Sequence, residues 1–333
     1  MTTSPVRLAR VLPTIVLLAA PIIAFTVLAP ALPPGVARAA DDLPSWAYPV
    51  APAGLPQPDP SKIVRVPGSD KQYTEKQVAG PFSPPDWFPN EHPPMPPVVA
   101  DGIKPTVLAC DLCHLPTGAG HPESSSLWGL QPAYFLRQMA DYATGKQKGP
   151  RKGAMTAIAK AISAAADRAA ADYYAGLKAP PGYDKVVEAA MVPKSAVGEG
   201  NMRFVTPGGG KEPIGQRIIV LPQNEEQARA RNPHYGFIDY VPPGSIAKGK
   251  RLAEGGGGKT VACAICHGPG LRGGLGEVPS IAGRGTIFIV RQLMDFKTGR
   301  RVGAWSSLHD AVDAQLDTGD IIALAAYVTS LKP

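Results

Sequence analysis

The pattern of apolar and polar positions occurs twice along the chain, with an offset of 154 residues between the copies. Each copy has an aromatic residue, two apolar residues, Arg-Gln, two apolar residues, Asp, an aromatic residue, any residue and Thr-Gly. The copies occupy residues 134–145 and 288–299. This periodicity predicts a helix in each copy, and the repetition indicates two versions of one structural unit.

A second helix closes each copy. An alanine-rich run occupies residues 155–177, and the corresponding run occupies residues 308–331. Asp317 and Asp320 belong to the residue types that typically stand at the start of a helix. Each unit thus consists of a cysteine-containing motif, a Gly/Pro loop, a helix, a turn and a closing helix, which predicts a small all-helical domain.

The segments outside the repeat have other patterns. Dense proline predicts an extended arm, which either packs across the domains or serves as a flexible spacer. Short apolar runs at 202–205, 218–221 and 236–241 predict a few strands. We predict an all-α fold with the following order: a Pro-rich extension at 40–92, a first helical domain at 93–178, a connector with some β character at 179–242, and a second helical domain at 243–333.

The N-terminus has the pattern of an export signal. Arg7 and Arg10 precede an uncharged stretch at 11–33, and small residues at 37–39 suit a signal peptidase. We therefore predict a signal peptide at residues 1–39 and a periplasmic location. The apolar run is also long enough to span a bilayer, so an uncleaved inner-membrane anchor facing the periplasm is the alternative.

Composition and charge narrow the class of protein. A length of 333 residues with 44% apolar residues allows two ordinary domains. The formal net charge is +7, but the predicted signal peptide holds three of the 34 basic residues and no acidic one. The chain has no Lys/Arg cluster interleaved with aromatic residues, so we expect no nucleic-acid partner.

The four cysteines form two identical motifs, Cys110-Asp-Leu-Cys113-His114 and Cys263-Ala-Ile-Cys266-His267. C-x-x-C-H is the attachment motif of haem c. Its two thiols can form thioethers with the vinyl groups of one porphyrin, and its histidine supplies the fifth iron ligand. Two disulfides, one zinc ion or a redox dithiol are alternatives, but none of them predicts a histidine after both pairs. The sequence therefore predicts two covalently bound haem c groups.

A family resemblance rests on these motifs, on residues 279–283 (Pro-Ser-Ile-Ala-Gly), on the Arg-Gln…Thr-Gly helices and on the ending Ala-Ala-Tyr at 325–327. Each half resembles a class I cytochrome c, and the tandem is similar to the dihaem cytochrome c4 and c553-like group. The resemblance covers residues 93–178 and 243–333. It implies single-electron transfer with redox protein partners, such as a periplasmic dehydrogenase, a membrane respiratory complex or an oxidase. An uncleaved N-terminus would add membrane association.

The resemblance implies a methionine as the sixth ligand, from the segment before the last helix. In the first half this residue is Met155, and its competitors are Met139 and Met95. Met139 corresponds to Leu293 in the second copy, which favours ordinary helix packing, and Met95 precedes the haem motif. The repeat offset places His309 at the position of Met155.

Three interpretations of the second sixth ligand are open. His309 binds the iron, or it is a solvated residue beside an open iron, or Met191, Met202 or His234 of the connector supplies the ligand. Since methionine sulfur stabilises ferrous iron, ligation by Met155 and His309 would give the first haem the higher potential.

Two further positions follow from the resemblance. A proline carbonyl usually orients the proximal histidine. Pro279 fits this role, but Ser125 stands at the matching position in the first half, so we expect His114 to be held differently. Arg284 is a candidate partner for a haem propionate, and a solvated arginine is the alternative.

The sequence favours an electron carrier or an electron-transfer subunit over an enzyme. The alternative is a haem enzyme that acts on peroxide, a nitrogen oxide or a sulfur compound at an open second haem. That alternative requires that His309 does not bind the iron. We find no other catalytic constellation in the sequence.

Overall fold

The computed structural model describes Met1 and residues 43–150, 152–274 and 276–333. The predicted signal peptide lies outside the described residues. Within these ranges no helix is both long enough and apolar enough to cross a membrane.

The extension packs against the rest of the protein. Its elements are β1 (Ile63–Val64), β2 (Tyr73–Thr74) and α1 (Glu75–Val78). Ala47 and Tyr48 lie in the core of the second half, and Trp87 and Phe88 share an apolar cluster with Ala230 of the connector. The structure thus favours the packed arm over the flexible spacer for residues 43–92.

The first half is helical. Its elements are α2 (Pro97–Ala100), α3 (Cys110–His114), α4 (Pro132–Ala143), α5 (Gly153–Ala161) and α6 (Ala164–Ala175). The run predicted at 155–177 is broken between α5 and α6, because the backbone of Ile162 is extended and the hydroxyl of Ser163 caps α6. The first core contains Trp128, Phe135 and Tyr174.

The connector contains most of the strands. Its elements are β3 (Asp184–Glu188), β4 (Met191–Pro193), β5 (Ser195–Val197), β6 (Arg203–Val205), β7 (Lys211–Pro213), β8 (Ile219–Pro222), α7 (Glu225–Arg229) and β9 (Phe237–Val241). In its three-stranded sheet, β9 lies between a parallel β3 and an antiparallel β8. The three strands predicted from apolar runs correspond to β6, β8 and β9. An all-α class is not confirmed for the whole chain, because the helical fold is confined to the two halves.

The second half repeats the helical order of the first. Its elements are α8 (Ser245–Gly255), α9 (Ala264–His267), α10 (Thr286–Lys297), α11 (Asp310–Asp313) and α12 (Thr318–Ser330). The run predicted at 308–331 is interrupted before α12. That helix begins at Asp317, whose carboxylate accepts a hydrogen bond from the Asp320 N–H at 2.8 Å, while Asp320 caps Asp317 in return. Nearly all of α12 is buried, and its Ala323 carbonyl lies so close to α8 that only glycine fits at Gly249.

The two halves contact each other through equivalent residues. The Lys148 N–H donates to the Arg300 carbonyl at 2.7 Å, and the Val302 N–H donates to the Lys146 carbonyl at 2.9 Å. The repeat offset of 154 residues relates Lys146 to Arg300 and Lys148 to Val302. Each hydrogen bond is therefore the counterpart of the other, with the donor and the acceptor in opposite halves. Such reciprocal contacts define an approximate twofold relation between the halves.

Two ion pairs follow the same relation. Arg291 donates to both carboxylate oxygens of Glu123, at 2.8 and 2.9 Å, and both side chains are buried. The equivalent pair joins Arg137 to Glu277, whose side chain is exposed. The ion pair between Arg291 and Glu123 is therefore desolvated, whereas the equivalent ion pair between Arg137 and Glu277 is in contact with solvent.

Candidate haem sites

The proximal histidine of the first motif is held by a backbone carbonyl. His114 lies at the end of α3, and its Nδ1 is 2.7 Å from the carbonyl oxygen of Ser125. Burial lowers the pKa of His114, so the imidazole stays in the neutral form that binds metals. An Nδ1–H donated to the carbonyl leaves Nε2 available for an iron.

The second motif has the same arrangement. The Nδ1 of His267 is 2.8 Å from the carbonyl oxygen of Pro279, and burial lowers the pKa of His267 to about 4. The expectation that His114 is held differently is wrong. The acceptor is a backbone carbonyl, so Ser125 supplies it as well as proline does.

The thiols occupy two separate apolar sites. Cys110 packs against the first core and Cys263 against the second, and all four cysteines are free of disulfides. Burial raises the pKa of Cys110 to about 12 and that of Cys263 to about 11. Partly buried thiols with raised pKa values, in separate halves, do not suit a shared zinc ion or a reactive dithiol, whereas they suit attachment to an apolar porphyrin edge.

The apolar core next to the first motif contains three methionines. Met155 of α5 is partly buried against the first core, and Met139 and Met95 pack on the same cluster. All three candidates thus meet the same apolar surface. The role of Met155 as iron ligand stays a prediction.

The distal side of the second site contains His309. Its ring centroid is 6.5 Å from that of His267, and its ring stacks on Phe296 at 3.9 Å. The Nδ1 of His309 is 3.6 Å from an oxygen of the buried Asp313 carboxylate. The centroid separation of 6.5 Å is in the range of two imidazoles that bind one metal ion through metal–nitrogen bonds of about 2 Å.

The connector candidates lie in other surroundings. Met191 is exposed on β4, and Met202 packs against the second core. The Nε2 of His234 is 2.7 Å from a carboxylate oxygen of Glu91, and its ring stacks on Phe88. The structure therefore brings His309, rather than His234, to the proximal histidine of the second site.

Arg284 connects the two proximal loops. It is only 1% exposed, and its guanidinium donates to the Ser126 carbonyl at 3.1 Å, to the Trp128 carbonyl at 3.0 Å and to the Ser280 carbonyl at 3.2 Å. Ser126 and Ser280 each directly follow the residue whose carbonyl holds a proximal histidine. The guanidinium also lies 3.7 Å over the Trp128 ring. Arg284 is thus a buried cation shared by both halves, not a solvated side chain, and its role toward a propionate stays a prediction.

Sequence reasoning missed several residues around the sites. Arg231 of the connector donates to the carbonyl of Leu112 within the first motif and, at 3.0 Å, to the carbonyl of Val78. Asp111 beside it is buried, and burial raises the pKa of Asp111 to about 8. Glu123 and Glu277 differ by the repeat offset, so a comparison of the two copies could have found them. No local pattern pointed to Arg231.

No protein-family model matches the chain. The chain is 36% identical over 87 residues to cytochrome c4 of Azotobacter vinelandii, in a match that covers 24% of this chain and 41% of that protein. It is 25% identical over 230 residues to a protein of Thiomonas intermedia (strain K12) named thiosulfate dehydrogenase electron acceptor, covering 68% of this chain and 80% of that protein. The first match thus spans less than half the length of that relative.

Two solved structures resemble the fold. Thiosulfate dehydrogenase (TsdBA) of Marichromatium purpuratum gives a TM-score of 0.46 at 25% identity, covering 68% of this chain and 37% of that one. Reduced cytochrome c4 of Pseudomonas stutzeri gives 0.44 at 21% identity, covering 67% and 93%.

The sequence matches agree with the chemistry of the two sites. Both motifs place two partly buried thiols beside a neutral, oriented histidine, as haem c attachment requires. The predicted resemblance to dihaem class I cytochromes is confirmed by the cytochrome c4 match. The chain is thus similar to cytochrome c4, a dihaem c-type cytochrome, and its two motifs are the attachment sites of two covalently bound haem c groups.

Proposed function

We propose that the protein is a periplasmic electron carrier that accepts single electrons from a periplasmic dehydrogenase and passes them to a membrane respiratory complex, an oxidase or another terminal acceptor. Bound haem c supplies one-electron redox chemistry. The observation that carries the proposal is Arg284, which hydrogen-bonds both proximal loops and so joins two haem sites into one relay.

The donor is inferred from a relative. The Thiomonas intermedia protein is named as the electron acceptor of a thiosulfate dehydrogenase, and it is similar to 68% of this chain. That similarity supports a dehydrogenase as donor. The predicted export signal at residues 1–39 supports a periplasmic location.

The sixth ligands in this proposal are Met155 for the first iron and His309 for the second. The two sites then have unequal potentials, because methionine sulfur favours ferrous iron more than imidazole does. Electrons therefore move from the second haem to the first.

The enzyme alternative requires an open second iron. The position of His309 opposite His267, with its ring packed on Phe296, supports a closed site instead. An enzyme acting on peroxide, a nitrogen oxide or a sulfur compound would have to displace this ring. The test below distinguishes the two functions.

The test is a spectroscopic redox titration of the purified holoprotein and of matched variants. The wild type is expected to show one haem with a methionine–iron charge-transfer band and one with a bis-histidine signature, at separate potentials. Met155→Leu should lose the methionine band, whereas Met139→Leu, the control on α4, should keep it. His309→Leu should produce a high-spin second haem that binds added cyanide.

Three results would contradict the proposal. Equal midpoint potentials in the wild type would refute unequal ligation. A methionine band that disappears in Met139→Leu would move the ligand to that residue. A wild-type second haem that is high-spin and binds cyanide would favour the enzyme.

A further inference from the structure

Equivalent positions of the two haem motifs differ in exposure. Leu112 and Ile265 both precede the second cysteine of their motif, yet Leu112 is 8% exposed and Ile265 is 64% exposed. In α3 the residues Asp111, Leu112 and His114 are buried, whereas α9 contains no buried residue. The repeat itself cannot cause this difference, because the two motifs are copies of one unit.

The first motif is covered by segments that lie outside the repeat. Arg231 of the connector donates to the carbonyls of Leu112 and Val78, and so ties the motif to the extension. The Ala109 N–H, just before the first cysteine, donates to the Pro81 carbonyl at 3.1 Å. We call residues 78–81, 87–88 and 230–231 the cover.

The cover is itself a packed unit. The indole N–H of Trp87 donates to the Ala230 carbonyl at 2.8 Å, and both residues are buried in one apolar cluster with Val78 and Phe88. Buried packing of this kind keeps the cover in place over the first motif.

The second motif faces solvent with apolar side chains. Val261 and Ile265, which flank the first cysteine of this motif, are 37% and 64% exposed. Residues 260–271 contain no charged side chain. An exposed apolar surface of this kind typically marks an interaction site.

The position of a motif decides access to its haem. The two thioethers join the vinyl groups, so the backbone between the cysteines follows that edge of the porphyrin. Electron tunnelling falls steeply with the distance between redox centres, and a layer of packed side chains adds to that distance. A packed layer over the motif therefore keeps a partner's redox centre away from that edge of the haem, whereas an exposed motif allows the partner to approach it.

We propose that the electron donor docks at the surface around Val261 and Ile265, and that the cover insulates the first haem at the edge that its attachment motif follows. This inference rests on the proposed function. The partner is a redox protein whose own centre has an uncharged, apolar rim, since the exposed run offers no charge to pair with. With haem bound, one electron would pass from the partner's reduced centre to the oxidised second haem and then to the first.

The test measures reduction of the ferric holoprotein in a stopped-flow instrument. The donor is a ferrous monohaem class I cytochrome c of lower potential, mixed at high salt. The bands of the second haem should change before those of the first. Ile265→Glu should slow the bimolecular step about tenfold, because a carboxylate must then be desolvated in the contact. Ile103→Glu, at an exposed apolar residue of the first half, should change it less than twofold.

A second pair of variants tests the cover. Arg231→Gln should allow the donor to reduce the first haem directly, so that both haems change together. Arg229→Gln, an exposed arginine on α7, is the matched control and should behave as the wild type. If Arg231→Gln does not fold, the Ile265 and Ile103 variants still decide the question.

The inference is overturned if the first haem is reduced before the second, or if Ile103→Glu slows the reaction as much as Ile265→Glu. It is also overturned if Ile265→Glu reacts as fast as the wild type while both haems titrate normally. Failure of the proposed function is a different result, in which dithionite does not reduce and reoxidation does not restore the two haems.

Discussion

Replacement of Arg284 by methionine tests whether one buried cation serves both haem sites. Methionine retains much of the side-chain volume, but it removes the charge, the cation–π contact with the Trp128 ring and every hydrogen bond to the proximal loops. The two halves keep their other reciprocal contacts. The expected result is a folded but less stable protein whose two potentials both fall.

The loss of stability follows from opposing contributions. Burial lowers the pKa of Arg284 to about 9, so holding the charge in the interior costs about 5 kcal/mol. Its four hydrogen bonds contribute about 1.5 to 3 kcal/mol each, and the contact with Trp128 contributes about 2 kcal/mol. At the lower bound, the lost contacts exceed the recovered desolvation by about 3 kcal/mol.

The shift in potential follows from Coulomb's law. A positive charge disfavours ferric iron more than ferrous iron, so its removal lowers the potential. If the iron is taken to lie about 10 Å from the guanidinium, with an effective dielectric constant of about 20, one charge contributes about 1.7 kcal/mol. This corresponds to about 70 mV for a one-electron couple. Both haems should shift in the same direction, because Arg284 contacts the equivalent residues Ser126 and Ser280.

The assay is a potentiometric titration that resolves the two haems, combined with chemical unfolding of the holoprotein. Arg272→Met is the matched control, because it removes an exposed arginine of the second half that contacts only the carbonyl of Lys332. The control should shift each potential by less than about 20 mV, since exposed charges are screened. A variant of Arg284 in which only one potential moves, or neither, would refute the shared role.

Two further predictions concern stability. Glu123→Gln should lower the free energy of unfolding by about 3 kcal/mol, because it leaves the buried Arg291 without its partner. Glu277→Gln, at the equivalent but exposed ion pair, should lower it by less than about 1 kcal/mol in the same unfolding experiment. Burial alone would raise the pKa of Asp320, but hydrogen bonds from Lys248 and Lys259 outweigh it and lower that pKa to about 2. The stabilisation by ionised Asp320 should therefore be complete above pH 4 and disappear as the pH falls toward 2, with a loss of about 2.5 kcal/mol. Asp320→Asn should not show this loss of stability at acid pH. If the variant loses as much stability as the wild type between pH 4 and pH 2, the assignment is contradicted.

Local pattern and the repeat predicted the helices and the proximal sites. The spacing of apolar residues predicted α4 and α10, and the short apolar runs predicted β6, β8 and β9. The interruption of the closing helix of the first half has a local cause in Ser163, a residue type that favours helix caps. The sequence led us to expect different proximal sites, because Ser125 stands where the second half has a proline. The two sites are alike because the histidine is held by the backbone carbonyl, which does not depend on the residue type.

Contacts between distant segments could not be predicted in the same way. Arg291 and Glu123 are 168 residues apart, and the contact between Trp87 and Ala230 spans 143 residues. No periodicity connects such positions, since they meet only when whole units pack. The burial of Arg284 has the same origin, because its partners Ser126 and Trp128 belong to the other half.

The differences between the two halves have more functional weight than their likeness. Two identical haem sites would share an electron equally and would be equally accessible from outside. The proximal carbonyls keep the sites alike, so any inequality must come from elsewhere. It comes from His309 in place of Met155, and from a cover built of segments that are not repeated, over Leu112 but not over Ile265. Under the proposed function, the first difference sets the direction in which an electron moves between the haems, and the second sets where the electron enters. We infer that a duplicated unit becomes directional in this way without a change in either haem attachment motif.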